Sequence, residues 1–128
     1  MSKQKGSNAE RQLIKMFWEH NWAAIRSAGS GSMHYPSPDL LVSNAIKQYA
    51  IEVKITKDNK KYFKKDEIKQ LINFSKYFGA EPWIAIKFHK IDWLFISPEE
   101  LDETQSNFVF RKDKQLLSLS FLDLINLN

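Results

Sequence analysis

The chain has no cysteine and only three histidines in 128 residues. Without thiols there is no disulfide framework and no thiolate zinc site, and His20, His34 and His89 lack the spacing of zinc ligands. No apolar run approaches the roughly 18 residues that a membrane span needs, and the N-terminus Met-Ser-Lys-Gln-Lys-Gly is polar. A soluble, cytoplasmic protein without a membrane partner or a small-molecule cofactor is expected. Glycine and proline are also scarce, four of each, and half of both fall between Ser27 and Pro38. Internal repeats and a linker are missing, so residues 1–128 are expected to form one domain, with residues 1–6 as a basic mobile arm.

What is present suits a folded domain. Hydrophobic residues make up 43% of the chain, including four Trp, four Tyr and nine Phe, enough for a core of its own. The 19 basic and 15 acidic residues leave a net charge of +4, which favours an anionic partner. The charge is uneven. Lysines cluster between Lys54 and Lys69, whereas Glu99-Glu100-Leu101-Asp102-Glu103 is acidic.

Hydrophobic spacing predicts a helix from Ser7 to about Asn21, with Ser7-Asn8-Ala9-Glu10 as a capping box and Leu13, Ile14, Phe17 and Trp18 on its apolar face. A short strand over 22–27 follows, then the Ser/Gly/Pro-rich loop that leads into Asp39. Asp39 to Thr56 reads as a β-hairpin turning near Ser43-Asn44, and Lys57 to Lys65 as a solvated connection. A second helix from Asp66 to Phe78 carries a stripe of Ile68, Leu71, Ile72 and Ser75 and stops at Gly79. Strands over 83–88 and 93–97, another over 107–111 and a small helix from Ser120 complete an α/β pattern: a mixed sheet covered by helices.

Within this frame one constellation carries chemistry. In Ala50-Ile51-Glu52-Val53-Lys54-Ile55 the period of two places Glu52 and Lys54 on one face and Ile51, Val53 and Ile55 on the other. The hairpin would bring Asp39 back towards Glu52. Two carboxylates and an amine converging in a basic chain fit a hard cation acting on phosphate, because Mg²⁺ takes oxygen ligands and retains several waters. Two readings of Glu52 and Lys54 stand side by side: that site, or a solvent-facing ion pair of at most about 1 kcal/mol. Glu10 is open in the same way, as a third carboxylate for the metal or as the partner of Ser7. Arg11 and Arg26 are candidates for phosphate, and the Lys57, Lys60 and Lys61 run could track a DNA backbone or form a solvated face.

Taken in order, Lys5-Gly6, Ala9-Glu10-Arg11, Arg26-Ser27-Ala28-Gly29-Ser30, Pro38-Asp39, Ile51-Glu52-Val53-Lys54 and Ala85-Ile86-Lys87-Phe88 closely resemble the archaeal Holliday junction resolvases. This set is more specific than the PD-(D/E)xK pattern that restriction enzymes and repair nucleases share. The resemblance implies a restriction-endonuclease-like fold, a homodimer, and Mg²⁺-dependent resolution of four-way junction DNA by paired nicks. It implies Glu10, Asp39 and Glu52 as metal carboxylates, Lys54 as the catalytic lysine and Ser30 as a catalytic loop serine. Arg11, Arg26 and Lys87 correspond to basic positions, and Phe74 and Phe78 to a helix that builds the dimer surface. One departure is the segment from Ser30 to Asp39, which carries extra residues including His34-Tyr35-Pro36. The same fold also serves nucleases of linear, flap or damaged DNA, and a non-catalytic DNA-binding module would be a third outcome.

Overall fold

The computed structural model describes residues 3–27 and 35–128. Ser30 and His34 lie outside the described residues. In chain order the elements are α1 (Lys3–Glu19), β1 (Ala23–Arg26), β2 (Leu40–Ser43), β3 (Gln48–Thr56), β4 (Lys60–Lys64), α2 (Lys65–Phe78), β5 (Glu81–Phe88), β6 (Leu94–Ile96), β7 (Asp102–Glu103), β8 (Asn107–Arg111) and α3 (Phe121–Ile125). Short 3-10 turns at Pro98–Glu100 and Lys112–Leu117 precede β7 and α3. Among the described residues no helix is long and apolar enough to cross a membrane.

The main sheet runs β1-β2-β3-β5-β6, with β3 and β5 parallel and every other pair antiparallel. Parallel neighbours need a crossover, and α2 lies on that path between β3 and β5. Strand alternation then sorts the apolar side chains onto two faces. Ile51 and Val53 of β3, Leu40 and Val42 of β2 and Ala85 of β5 pack under Leu13 and Phe17 of α1. Ala50, Ile84 and Ile86 pack on the other side with Ile68 and Leu71 of α2. Burial of these side chains contributes about 1.5–3 kcal/mol for each large apolar group.

Three local features depart from the sequence-based expectations. The first helix begins at Lys3, so residues 3–6 are helical, and Ser7 stands inside the helix instead of capping it. The Ser7 hydroxyl is used elsewhere, accepting a hydrogen bond from Nη2 of Arg26 at 3.2 Å. The lysine-rich connection is also structured: Lys60–Lys64 forms β4, pairing with β8 in a three-stranded sheet β4-β8-β7. Phe63 and Phe110 are buried beneath that sheet, while Lys60, Tyr62 and Lys64 face solvent. Finally, Ile72 is 43% exposed, so the buried stripe of α2 is narrower and consists of Ile68, Leu71 and Ser75.

Two turns fix the geometry. Between β2 and β3, Oδ1 of Asn44 accepts from the amides of Ile46 and Lys47 at 2.9 and 2.7 Å, while Ala45 takes a φ of 78°. This Asx turn sets the hairpin register, Leu40 opposite Ile51 and Val42 opposite Tyr49. At the end of α2, Gly79 adopts φ 84° and donates its amide to the Ser75 carbonyl, stopping the helix before β5.

Candidate active site

The site forms where the first residues of β2 meet the middle of β3. The Asp39 carbonyl accepts from the Ser27 amide at 2.9 Å, tying the entry of β2 to the exit of β1. Its side chain turns towards β3, where Oδ2 accepts from the Val53 amide at 2.8 Å. The register that pairs Leu40 with Ile51 brings Asp39 beside Glu52. Glu52 and Lys54 pair across the parallel ladder with Ile84 and Ile86, which places both on the α2 side of the sheet. From that side Glu67, in the first turn of α2, reaches in: its Oε2 is 3.2 Å from Nζ of Lys54.

Burial dominates the electrostatics. Glu52 is pushed up to about 8, first by burial and then by the negative charge of Asp39, with Lys54 opposing and Glu67 reinforcing the shift. Asp39 is also raised from 3.8 by burial, although the Val53 amide and the Lys54 ammonium hold it down. The interaction between the two carboxyl groups lowers Asp39 and raises Glu52, so the two titrate as one coupled pair in which Glu52 is pushed up further. The pair therefore has more oxygen donors and more latent negative charge than one ammonium neutralises. That is the chemistry of a seat for a hard divalent cation.

Glu10 approaches from α1. Its Oε2 lies 2.6 Å from Nε of Arg26, and it is half-buried while Arg26 is exposed. Burial and then the charge of Asp39 raise its pKa, which places it within electrostatic reach of the pair, and Arg26 opposes the shift. The structure thus brings Asp39, Glu52 and Lys54 together and turns Glu10 onto Arg26. Among the described residues no three acidic or histidine side chains close into a ready metal cluster.

The chain matches the family model of the archaeal Holliday junction resolvases (Hjc) over residues 1–128. It belongs to the archaeal Holliday junction resolvase family. Over 106 residues it is 41% identical to the crossover junction endodeoxyribonuclease Hjc of Archaeoglobus fulgidus, covering 83% of this chain and 78% of that one. The Hjc of Methanocaldococcus jannaschii is 34% identical over 121 residues, 94% of this chain and 86% of its own. The solved structure of Archaeoglobus fulgidus Hjc superimposes with a TM-score of 0.88 at 35% identity, covering 93% of this chain and 98% of the other. The architecture is restriction-endonuclease-like, as the motif order implied.

The remaining candidate residues lie unevenly around the pair. Arg11 is exposed and contacts Oδ1 of Asn8 on its own helix. Lys57 and Lys60 are exposed beyond the end of β3, with Nζ of Lys60 over the Tyr62 ring at 5.3 Å, and Lys61 is half-buried in β4. Lys87 pairs in register with Ile55, which puts it on the α1 side, the face opposite Glu52 and Lys54. There its Nζ donates to the Ile91 carbonyl. On α2, Phe74 is half-buried and stacks on Phe78 at 5.2 Å, while Phe78 and Tyr77 are 55% and 87% exposed. Glu67 is the participant that sequence reasoning missed. Its only sequence signal is an acidic residue in a helix first turn, which usually complements the helix dipole.

Proposed function

We propose that this resolvase-family chain is a Mg²⁺-dependent endonuclease that resolves four-way DNA junctions by paired, symmetric nicks, acting in the cytoplasm as a homodimer of single nuclease domains. The observation that carries this reading is the half-buried Asp39–Glu52 pair beside Lys54. Homologues named crossover junction endodeoxyribonucleases support the class of reaction.

Asp39 and Glu52 would hold the cation, with Glu10 as a third carboxylate when it leaves Arg26. When bound, the ion supplies positive charge to the scissile phosphate and acidifies the attacking water. The protein's own groups do the rest. Lys54 presents an ammonium on the same strand face as Glu52, where it balances charge that develops on the phosphate oxygens and orients the attacking water. Arg26 and Arg11 suit a planar grip on phosphate. Lys57, Lys60 and Lys61 extend the positive surface along the duplex arm, a contact that reads backbone and shape more than sequence. Ser30, which precedes Asp39 in the Ser/Gly/Pro-rich segment, and Lys87, from the far face, complete the residues assigned to DNA or catalysis. The Phe74–Phe78 stack, half-buried at Phe74 and exposed at Phe78, is assigned to the dimer surface, so that two sites face the same junction.

The test is cleavage of four-way, flap and linear substrates, each with Mg²⁺ or with chelator. Metal-dependent cutting of the junction in preference to the other two is expected. Equal cutting of all three would remove junction selectivity, and no metal-dependent cutting of any would leave a DNA-binding module.

A further inference from the structure

We infer that Glu67 is a positioning residue for Lys54: it holds the ammonium clear of the Asp39–Glu52 pair, aimed at the place where a phosphate would enter. The inference deepens the nuclease reading and rests on it. It begins with a choice made in the fold. Lys54 has three carboxylates within electrostatic reach, Asp39, Glu52 and Glu67, yet its ion pair is with Glu67, on the helix across the sheet, at 3.2 Å. Glu52, two residues away on the same strand face, would be the default partner for an isolated strand.

The placement of Glu67 is rigid for a side chain near the surface. Its neighbour Ile68 is 1% exposed and Leu71 3%, both packed under β3 and β5, so the backbone of this turn is pinned to the sheet that carries Lys54. The side chains of Lys54 and Glu67 are only 21% and 30% exposed, unlike the freely solvated pair of Lys114 and Asp102 at 43% and 42%. A lysine that closed directly on Glu52 would neutralise the oxygen donors that a divalent cation requires. Held by Glu67, Lys54 keeps its position and leaves those oxygens open.

A surface ion pair of no consequence would place the same atoms at a similar distance, so the test must separate the two. Single-turnover cleavage of a four-way junction is measured for the native chain, Glu67→Gln, Glu67→Asp, Lys54→Ala and the Glu67→Gln/Lys54→Ala double variant, with junction affinity measured in chelator. Glu67→Gln is nearly isosteric, and circular dichroism checks its fold. The rate should fall about tenfold in Glu67→Gln with affinity changed less than about twofold, recover in part in Glu67→Asp, and fall no further when Glu67→Gln is added to Lys54→Ala. An equal additional loss in both backgrounds, or a loss carried by affinity alone, would overturn the inference. A second readout needs no activity: the Lys54 side-chain ammonium resonance, in ¹⁵N-labelled protein, should be restrained natively and averaged in Glu67→Gln. An ammonium equally mobile in both would also overturn it. If the native chain cuts no DNA, the nuclease reading fails while the resonance still decides whether Glu67 holds Lys54.

Discussion

Glu52→Gln should make the metal-free protein more stable at alkaline pH, even though it removes a residue of the candidate active site. Burial and the charge of Asp39 push Glu52 up from 4.5 to about 8. In the unfolded chain the carboxyl ionises near its ordinary value, so between those two values the folded state holds a proton that the unfolded state has released. Stability attributable to this group is therefore complete below about pH 4.5 and is lost as pH rises through about 8. At 1.36 kcal/mol per unit the ceiling is about 5 kcal/mol. Sharing of the proton with Asp39 and entry of water reduce the expected loss to about 2–4 kcal/mol. Glutamine is uncharged throughout and can still donate to Asp39, so its contribution should be flat. Urea unfolding in chelator at intervals from pH 5 to pH 9 measures both chains, and their difference cancels the background titration. Mg²⁺ should restore much of the alkaline stability of the native chain and add little to the variant, which lost none. Parallel curves in chelator would refute the account of the pair as a strained, proton-sharing site.

Asp39→Asn keeps an oxygen for the Val53 amide while losing the charge, so cleavage should fall at least about a thousandfold with junction affinity within about threefold, read by single-turnover cleavage and gel shift. Loss of folding together with cleavage would show a purely structural aspartate. Gly79→Ala should cost about 1 kcal/mol in urea unfolding. A Cβ there meets nothing within 4 Å, and the penalty comes from the φ of 84° alone. The native chain should show the solution mass of two chains at micromolar concentration and Phe74→Ala/Phe78→Ala that of one; a native monomer would remove the proposed dimer, and a dimer unchanged by the substitutions would remove the aromatic stack from its interface.

The parts of the fold legible in the sequence were those governed by local period. The alternation of β3, the turn after Ser43, the Gly79 stop of α2 and the start of the last helix near Ser120 all depend on residues a few positions apart. What was missed depends on partners distant in sequence. Nothing in Lys60–Lys64 announces a strand, because its ladder is completed only by Asn107–Arg111 and only Phe63 is buried. Ser7 looked like a cap because its spacing to Glu10 is right, but the helix starts earlier and both side chains turn to Arg26. At the site, Asp39, Glu52 and Lys54 were readable because two paired strands place them together. Glu67 was not, since only the packing of α2 over β3 brings it to Lys54. The face of Lys87 likewise follows from its register with Ile55, which a single sequence does not display.

The two-sided strand β3 binds the fate of the site to that of the core. Tyr49, Ile51, Val53 and Ile55 serve the layer under α1, and the intervening Glu52 and Lys54 serve the chemistry under α2. A slip of one residue in the hairpin would exchange these roles at once, driving two charged groups beneath Leu13 and Phe17 and presenting isoleucine and valine to the substrate. Moving those charges into an apolar layer costs several kcal/mol each. Misregistered chains are thus eliminated by the same event that would disarm them, and a molecule that has folded has, by that fact, assembled the Asp39–Glu52 pair.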